Sequence, residues 1–168
     1  MVPVKKVIAY VRLTKAAIEQ PVTVAENYVW WMRDGAALAA EVDFLGVHTY
    51  PEWEGKTIDE ALPYTLENIE GVRRALPDTP IAILEAGWAT TAIEFGERAN
   101  QAAQARYYRE IEQWGRTTNT TVFFFEAFDE PWKGNPHDPL GAEKHWGLFN
   151  VDRTPKQLMR ESSPGDTP

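Results

Sequence analysis

Apolar residues at Val4, Val7, Ile8, Val11 and Ile18 recur at roughly helical spacing, so the chain is predicted to open on an amphipathic helix that stops near Pro21. "PVTVAE" (21–26) reads as a strand, "NYVWWMRDGAALAAE" as a mixed helical stretch, and "VDFLGVHTYP" (42–51) as a second, more apolar strand. In "TIDEALPYTLENIEGVRRALP", Thr57 and Glu60 fit a capping box, and Ile58, Leu62, Leu66, Ile69, Val72 and Leu76 mark an apolar face. Pro63 is predicted to kink or restart that helix. "IAILEAGW" (81–88) is the third strand, residues 98–115 the next helix, "TVFFFEAFDEP" (121–131) the fourth strand, and residues 155–161 a closing helix. Residues 1–160 read as one domain, and the polar segment 161–168 as a flexible tail.

Apolar strands alternating with helices imply a parallel sheet covered on both faces, hence the α/β class. No strand is followed by a G-x-G-x-x-G or Walker turn, which weakens the nucleotide-binding versions of such folds and leaves no cofactor implied. The (β/α)8 barrel is the version to compare, because its chemistry sits at the C-terminal strand ends. Polar residues collect there in this chain: Glu26; His48 and Tyr50; Glu85 and Trp88; then Glu126, Asp129, Glu130, Trp132 and Lys133.

Composition narrows the ligand. A net charge of −8 argues against nucleic acid or an anionic membrane surface as partner. With no cysteine, disulfides, thiolate nucleophiles and Cys-based zinc sites are excluded. His48, His137 and His145 lack metal-ligand spacing, and no G-x-S-x-G elbow anchors a serine triad, so neither a metal nor a serine nucleophile is expected. The N-terminal segment, with Arg12 and Lys15 breaking its apolar runs, resembles neither a signal peptide nor a spanning helix.

Seven Trp in 168 residues call for an account. Trp30, Trp31 and Trp114 fall in helical segments and are assigned to packing, whereas Trp53, Trp88, Trp132 and Trp146 follow strands or sit in loops and are assigned to a cleft. Carboxylates beside exposed aromatic rings suit carbohydrate: rings stack on the C–H faces of sugars, and acids bind hydroxyls and stabilise an oxocarbenium-like transition state.

"ILEAGWAT", "FFFEAFDEPWKG" and "EKHWGLFNVDRTPK", taken with "PVTVAE" and "VDFLGVHTYP", resemble the C-terminal half of glycoside hydrolase family 17, the β-1,3-glucanases and β-1,3-glucanosyltransferases. The resemblance runs colinearly over nearly the whole chain. It implies half of a (β/α)8 barrel and a retaining mechanism with Glu85 as nucleophile. Glu130 and Lys133 match an acid and a lysine bordering the family cleft, and Tyr50 and Trp88 match aromatic positions near the cleaved bond. An acid at the end of so apolar a strand stays ionised only where donors and solvent offset its desolvation, and His48, Tyr50 and Lys133 are the available donors.

The family's proton donor comes from an Asn-Glu pair on its fourth strand, and this sequence has no Asn-Glu dipeptide. Glu26, Glu126, Asp129 and Glu130 are therefore the candidate surrogates for the general acid/base. A half sheet exposes two edges and an apolar inner face, so a homodimer or other oligomer is expected to cover them. The leading reading is a glycoside hydrolase or transglycosylase domain acting on β-1,3-linked glucan. Its alternatives are a non-catalytic glucan-binding or assembly module and an inactive barrel fragment.

Overall fold

The computed structural model describes residues 2–162. Its elements run α1 (Val4–Ala17), β1 (Ala25–Asn27), α2 (Tyr28–Asp34), α3 (Ala36–Ala39), β2 (Leu45–Thr49), α4 (Ile58–Ala75), β3 (Ile81–Ala86), α5 (Gln101–Thr118), β4 (Val122–Phe124) and α6 (Gln157–Ser162). The strands form a parallel sheet in the order β1-β2-β3-β4, the consecutive order of a barrel wall, with β1 and β4 as open edges. Of the predicted tail, Glu161 and Ser162 belong to the last turn of α6, and residues 163–168 lie outside the described residues.

The helices pack on one face of the sheet. Leu45 and Val47 of β2 and Ile83 of β3 have no exposed surface and join Trp31, Ile69, Val72, Tyr107 and Ile111 in one core. Thr49, at the end of the same row, accepts a hydrogen bond from Asn68 of α4 (3.0 Å). Trp31 donates its indole N–H to the Gly46 carbonyl at 2.9 Å, and Trp30 and Trp114 pack half-buried against the same core. The opposite, inner face is apolar and open: Phe123 is 59% exposed, and Leu84 leans over Gly46, where a Cβ would sit 2.6 Å from Leu84 Cδ1.

The observed helices follow their signals. Thr57 and Glu60 form the capping box of α4, and Ala61, Thr65, Asn68, Ile69 and Val72 make its buried stripe. The helix does not restart at Pro63, since α4 runs unbroken through it; the ring is exposed, and the loss of its N–H costs one bond, to the exposed Asp59 carbonyl. Asn27 caps α2 and Asn100 caps α5, each through its side-chain oxygen. Gly35 divides α2 from α3, because a side chain there would collide with the Trp31 carbonyl.

Two strands are shorter than their apolar runs. Residues 21–24 approach β2 irregularly, with Val22 exchanging bonds with Asp43, before β1 begins at Ala25. The fourth run leaves the sheet after Phe124: Glu126 and Asp129 donate to Trp146 and Phe149, while Leu148 and Phe149 donate to Glu126 and Ala127. A later segment of the chain thus takes the backbone bonds that β3 would have supplied. Among the described residues, no helix is long and apolar enough to cross a membrane.

Ile69 has no exposed surface and Ile93 is 67% exposed. Ile69→Ala should lower the unfolding free energy in urea by about 2–5 kcal/mol, whereas Ile93→Ala should change it by no more than about 0.5 kcal/mol.

Candidate active site

Parallel strands deliver their C-terminal ends to one side of the sheet, and the predicted polar residues meet there. In the β2–β3 ladder, Leu45, Gly46 and Val47 pair with Ile81, Ala82 and Ile83, but His48 pairs with Glu85 and skips Leu84. The same extra residue separates β3 from β4, where Ile83 pairs with Val122 and Ala86 with Phe124. This bulge puts Glu85 on the inner face beside His48.

Glu85 is the hub of the site. Its Oε2 accepts the Tyr50 hydroxyl at 2.8 Å and lies 3.3 Å from His48 Nδ1. Its side chain keeps 32% of its surface exposed, so the carboxylate is both held and reachable. Burial keeps the His48 imidazole below its ordinary value, against the opposing pull of Glu85 and Glu26. The ring turns Nδ1 toward Glu85 and leaves Nε2 buried without a partner. Burial, the bond to Glu85 and that carboxylate's charge raise the Tyr50 phenol well above its usual range, so it remains a donor.

Beside this hub, two carboxyls share one lysine. Lys133 Nζ lies 3.0 Å from Glu126 Oε2, pairs with Glu130, and sits 4.3 Å above the Phe125 ring. Burial pushes Glu126 up to about 7, the strongest influence on it, although Lys133 draws it down. The Phe125–Glu126 peptide is cis.

Two of the predicted surrogate acids stand elsewhere. Glu26 pairs with Val47, and strand alternation turns both toward the helices. There Glu26 lines a pocket with Val4, Val7, Val24, Trp30 and Leu38, behind the sheet rather than in the cleft. Asp129 is buried, and its Oδ1 accepts the Lys156 ammonium (2.7 Å) and the Gly147 N–H (2.9 Å). Lys156, itself 2% exposed, also donates to Thr90, so this pair fastens the C-terminal segment, with Asp129 engaged there rather than beside Glu85.

The aromatic assignment divides in the same way. Trp53 (45% exposed) and Trp132 (71%) present accessible rings. Trp88 has none: it is fully buried against Tyr107, and its indole N–H donates to the Arg98 carbonyl at 3.0 Å, so it is a core residue and no sugar platform. Its neighbour Gly87 explains the motif, since a Cβ there would come within 2.3 Å of the Phe125 carbonyl. Trp146 is also buried and lies under the cleft, with Tyr50, Trp53, Phe95 and Phe125 around it at centroid distances of 5.2–6.5 Å.

Sequence reading missed Phe125 and Glu52. Phe125 hid in a run of phenylalanines, and its contact with Lys133 depends on where the strand ends. Glu52 follows the second apolar run with no pattern in the chain to mark it, yet it is fully buried. Among the described residues, no group of three or more acidic or histidine side chains is arranged to hold a metal ion.

The profile of the BtgE/BtgC glycoside hydrolase domain matches residues 2–147. A glucan 1,3-beta-glucosidase of Arthroderma benhamiae is 31% identical over 141 residues, covering 72% of this chain and 43% of that protein. One from Schizosaccharomyces pombe is 28% identical over 159 residues, covering 89% and 48%. An endo-laminarinase structure from Formosa superposes with a TM-score of 0.84 at 25% identity, over 92% of this chain and 51% of its own. A glycoside hydrolase family 17 β-1,3-glucanosyltransferase from Rhizomucor miehei gives 0.81 at 26% identity, over 94% and 57%. The chain spans about half the length of the curated relatives it matches. It belongs to the BtgE/BtgC glycoside hydrolase family, and its four-stranded α/β fold corresponds to half of a glycoside hydrolase family 17 barrel.

Proposed function

We propose that the chain carries the nucleophile side of a retaining hydrolase or transglycosylase acting on β-1,3-linked glucan, with Glu85 as nucleophile. The observation behind this reading is the Glu85 carboxylate, presented at the C-terminal end of β3 with 32% of its side chain exposed, held by the Tyr50 hydroxyl and lying beside the His48 imidazole. One of the structural neighbours, an active-site mutant of the Rhizomucor miehei β-1,3-glucanosyltransferase, is a complex with laminaritriose, which supports a laminari-oligosaccharide as the ligand here.

In this mechanism Glu85 attacks the anomeric carbon as the glycosidic C–O bond breaks, and a protonated group supplies the departing oxygen with its proton. Water or a sugar hydroxyl then displaces Glu85 while the same group takes the proton back. Tyr50 releases Glu85 as its charge passes into the ester bond and recovers it afterwards. The exposed rings of Trp53 and Trp132 supply stacking surface for the glucan.

Of the surrogate acids, Glu126 best fits the proton-carrying role. Its carboxyl, raised to about 7, holds a proton through mildly acidic pH, and its Oε1 is not engaged by any hydrogen bond. Glu130 shares Lys133 with Glu126. For the chain by itself, a second copy laid over the inner face would cover Phe123 and Leu84. Sedimentation should then give a dimer that Phe123→Glu reduces to monomer, and a monomeric parent chain would remove this part of the proposal.

The nucleophile is tested with a 2-deoxy-2-fluoro-β-laminaribiosyl fluoride, whose fluoride leaves without protonation, so the result does not depend on the acid. One glycosyl adduct on the peptide containing Glu85, absent in Glu85→Gln, is the expected outcome. Binding of laminaritriose with no adduct would favour the non-catalytic glucan-binding module. Neither binding nor adduct would favour an inactive fragment.

Glu126→Gln should reduce sugar release from laminarin oligosaccharides by about 100-fold or more while leaving labelling by the fluoride intact. Loss of both would place Glu126 in binding rather than proton transfer. A general acid works only while protonated, so release by the parent chain should fall as pH rises through about 7. Lys133→Met removes the charge that holds Glu126 down, so it should move that limb to higher pH in a kcat/KM profile.

A further inference from the structure

Under the aromatic floor of the cleft lies a carboxyl that the proposed chemistry does not use. Glu52 sits in the loop after β2 with no exposed surface. Its Oε2 accepts the Ala89 N–H at 2.7 Å, and its Oε1 is buried with no hydrogen-bond partner. Ala89 follows Trp88 in the loop after β3, so this bond joins the loop that carries Tyr50 to the loop that leaves Glu85. A second strut runs through Arg98, whose Nη1 donates to the carbonyls of Glu52 (3.1 Å) and Lys56 (3.2 Å). The Arg98 carbonyl in turn accepts the Trp88 indole N–H. Glu52, Trp88 and Arg98 thus close a ring of contacts between the two loops, and the Tyr50–Glu85 bond joins the start of the first loop to the end of β3.

We propose that Glu52, in its neutral form, is a positioning residue: by tying the loop after β2 to the loop after β3 it sets the Tyr50 hydroxyl on Glu85, and ionising Glu52 unfastens the pair. The proposal rests on Glu85 as the reacting group.

The surroundings suit a neutral carboxyl and oppose a charged one. The Ala89 amide satisfies one oxygen, and nothing satisfies the other. Arg98 is the charge that acts on Glu52, and its Nη1 is committed to two carbonyls. On the same loop, Lys56 caps the Tyr64 ring at 4.8 Å, and the charge of Glu54 is felt at Tyr28. Desolvation outweighs both the Ala89 bond and Arg98 and pushes the carboxyl up to about 8.

An opened loop with Glu52 in water would ionise near the ordinary value of 4.5. The closed arrangement binds the proton more tightly, so it is fully favoured below that value. It loses ground about tenfold per pH unit from there up to about 8 and no further above, where both states are ionised. Opening therefore shows as a one-proton step centred at or below about 8.

The test follows two signals from pH ~5 to ~9, the Ala89 amide resonance and the rate of Glu85 labelling by the 2-fluoro sugar. Both are recorded for the parent chain, Glu52→Gln and Glu52→Ala. Gln keeps the shape and the acceptor for Ala89 but cannot ionise. In the parent chain the Ala89 resonance should move in a single step, and labelling should slow about tenfold across it. In Glu52→Gln both signals should be flat at the acid-side value, and in Glu52→Ala labelling should be slow at every pH. A parent-chain Ala89 resonance that does not titrate, or a Gln variant showing the same step, would overturn the proposal. If Glu85 is never labelled, the glycosidase reading fails, and the Ala89 titration still decides whether Glu52 governs the loop pair.

Discussion

One extra residue in β3 decides what the active face contains. If the ladder from Val47–Ile83 ran on without a break, His48 would face Leu84 and Glu85 would pair with Thr49, whose side chain is buried under α4. Period-two alternation would then drive the carboxylate into the helix-packed core, at a desolvation cost no neighbour there could offset. By skipping Leu84, the strand returns to its outer register at Ala86 and leaves Glu85 on the inner face with His48. The hydroxyl of Tyr50, one residue beyond β2, can then reach it.

Around that hub the fold sorts its carboxyls by environment. Glu85 has a phenol and an imidazole and keeps contact with solvent. Glu126 is more enclosed and shares one ammonium with Glu130, so its proton is retained to about 7. Asp129 faces a buried lysine and acts as a fastening. Glu52 has a single amide and holds its proton to about 8. Groups of like chemistry in unlike surroundings can divide the parts of acid, base, nucleophile and strut among them.

The aromatic residues are layered in the same sense. Trp31 and Trp88 lie in the packed core between sheet and helices, Trp146 lies beneath the cleft, and Trp53 and Trp132 meet solvent above it. Tyr50 connects the layers, with its ring edge-on to Trp146 and its hydroxyl on Glu85. A buried indole thereby supports the residue that orients the carboxylate.

Much of this was legible in the chain. The period of Ile58, Leu62, Leu66, Ile69 and Val72, the Thr57–Glu60 box and the apolar runs specify helices and parallel strands, because apolar period and capping are local properties. They also place the polar residues at the strand ends, and the motifs around Glu85, Glu130 and Lys133 carry the family likeness. Facing was not legible. Whether Glu26 looks into the cleft or behind the sheet, whether Trp88 is platform or core, and whether Asp129 is free or bound to Lys156 depend on register, on a bulge and on contacts between residues far apart in the chain. The sequence by itself determined which residues end the strands, since that follows from neighbours along the chain. Only the tertiary structure decided which of them share a face and which are tied to a lysine, since a one-residue slip in pairing reverses every side chain.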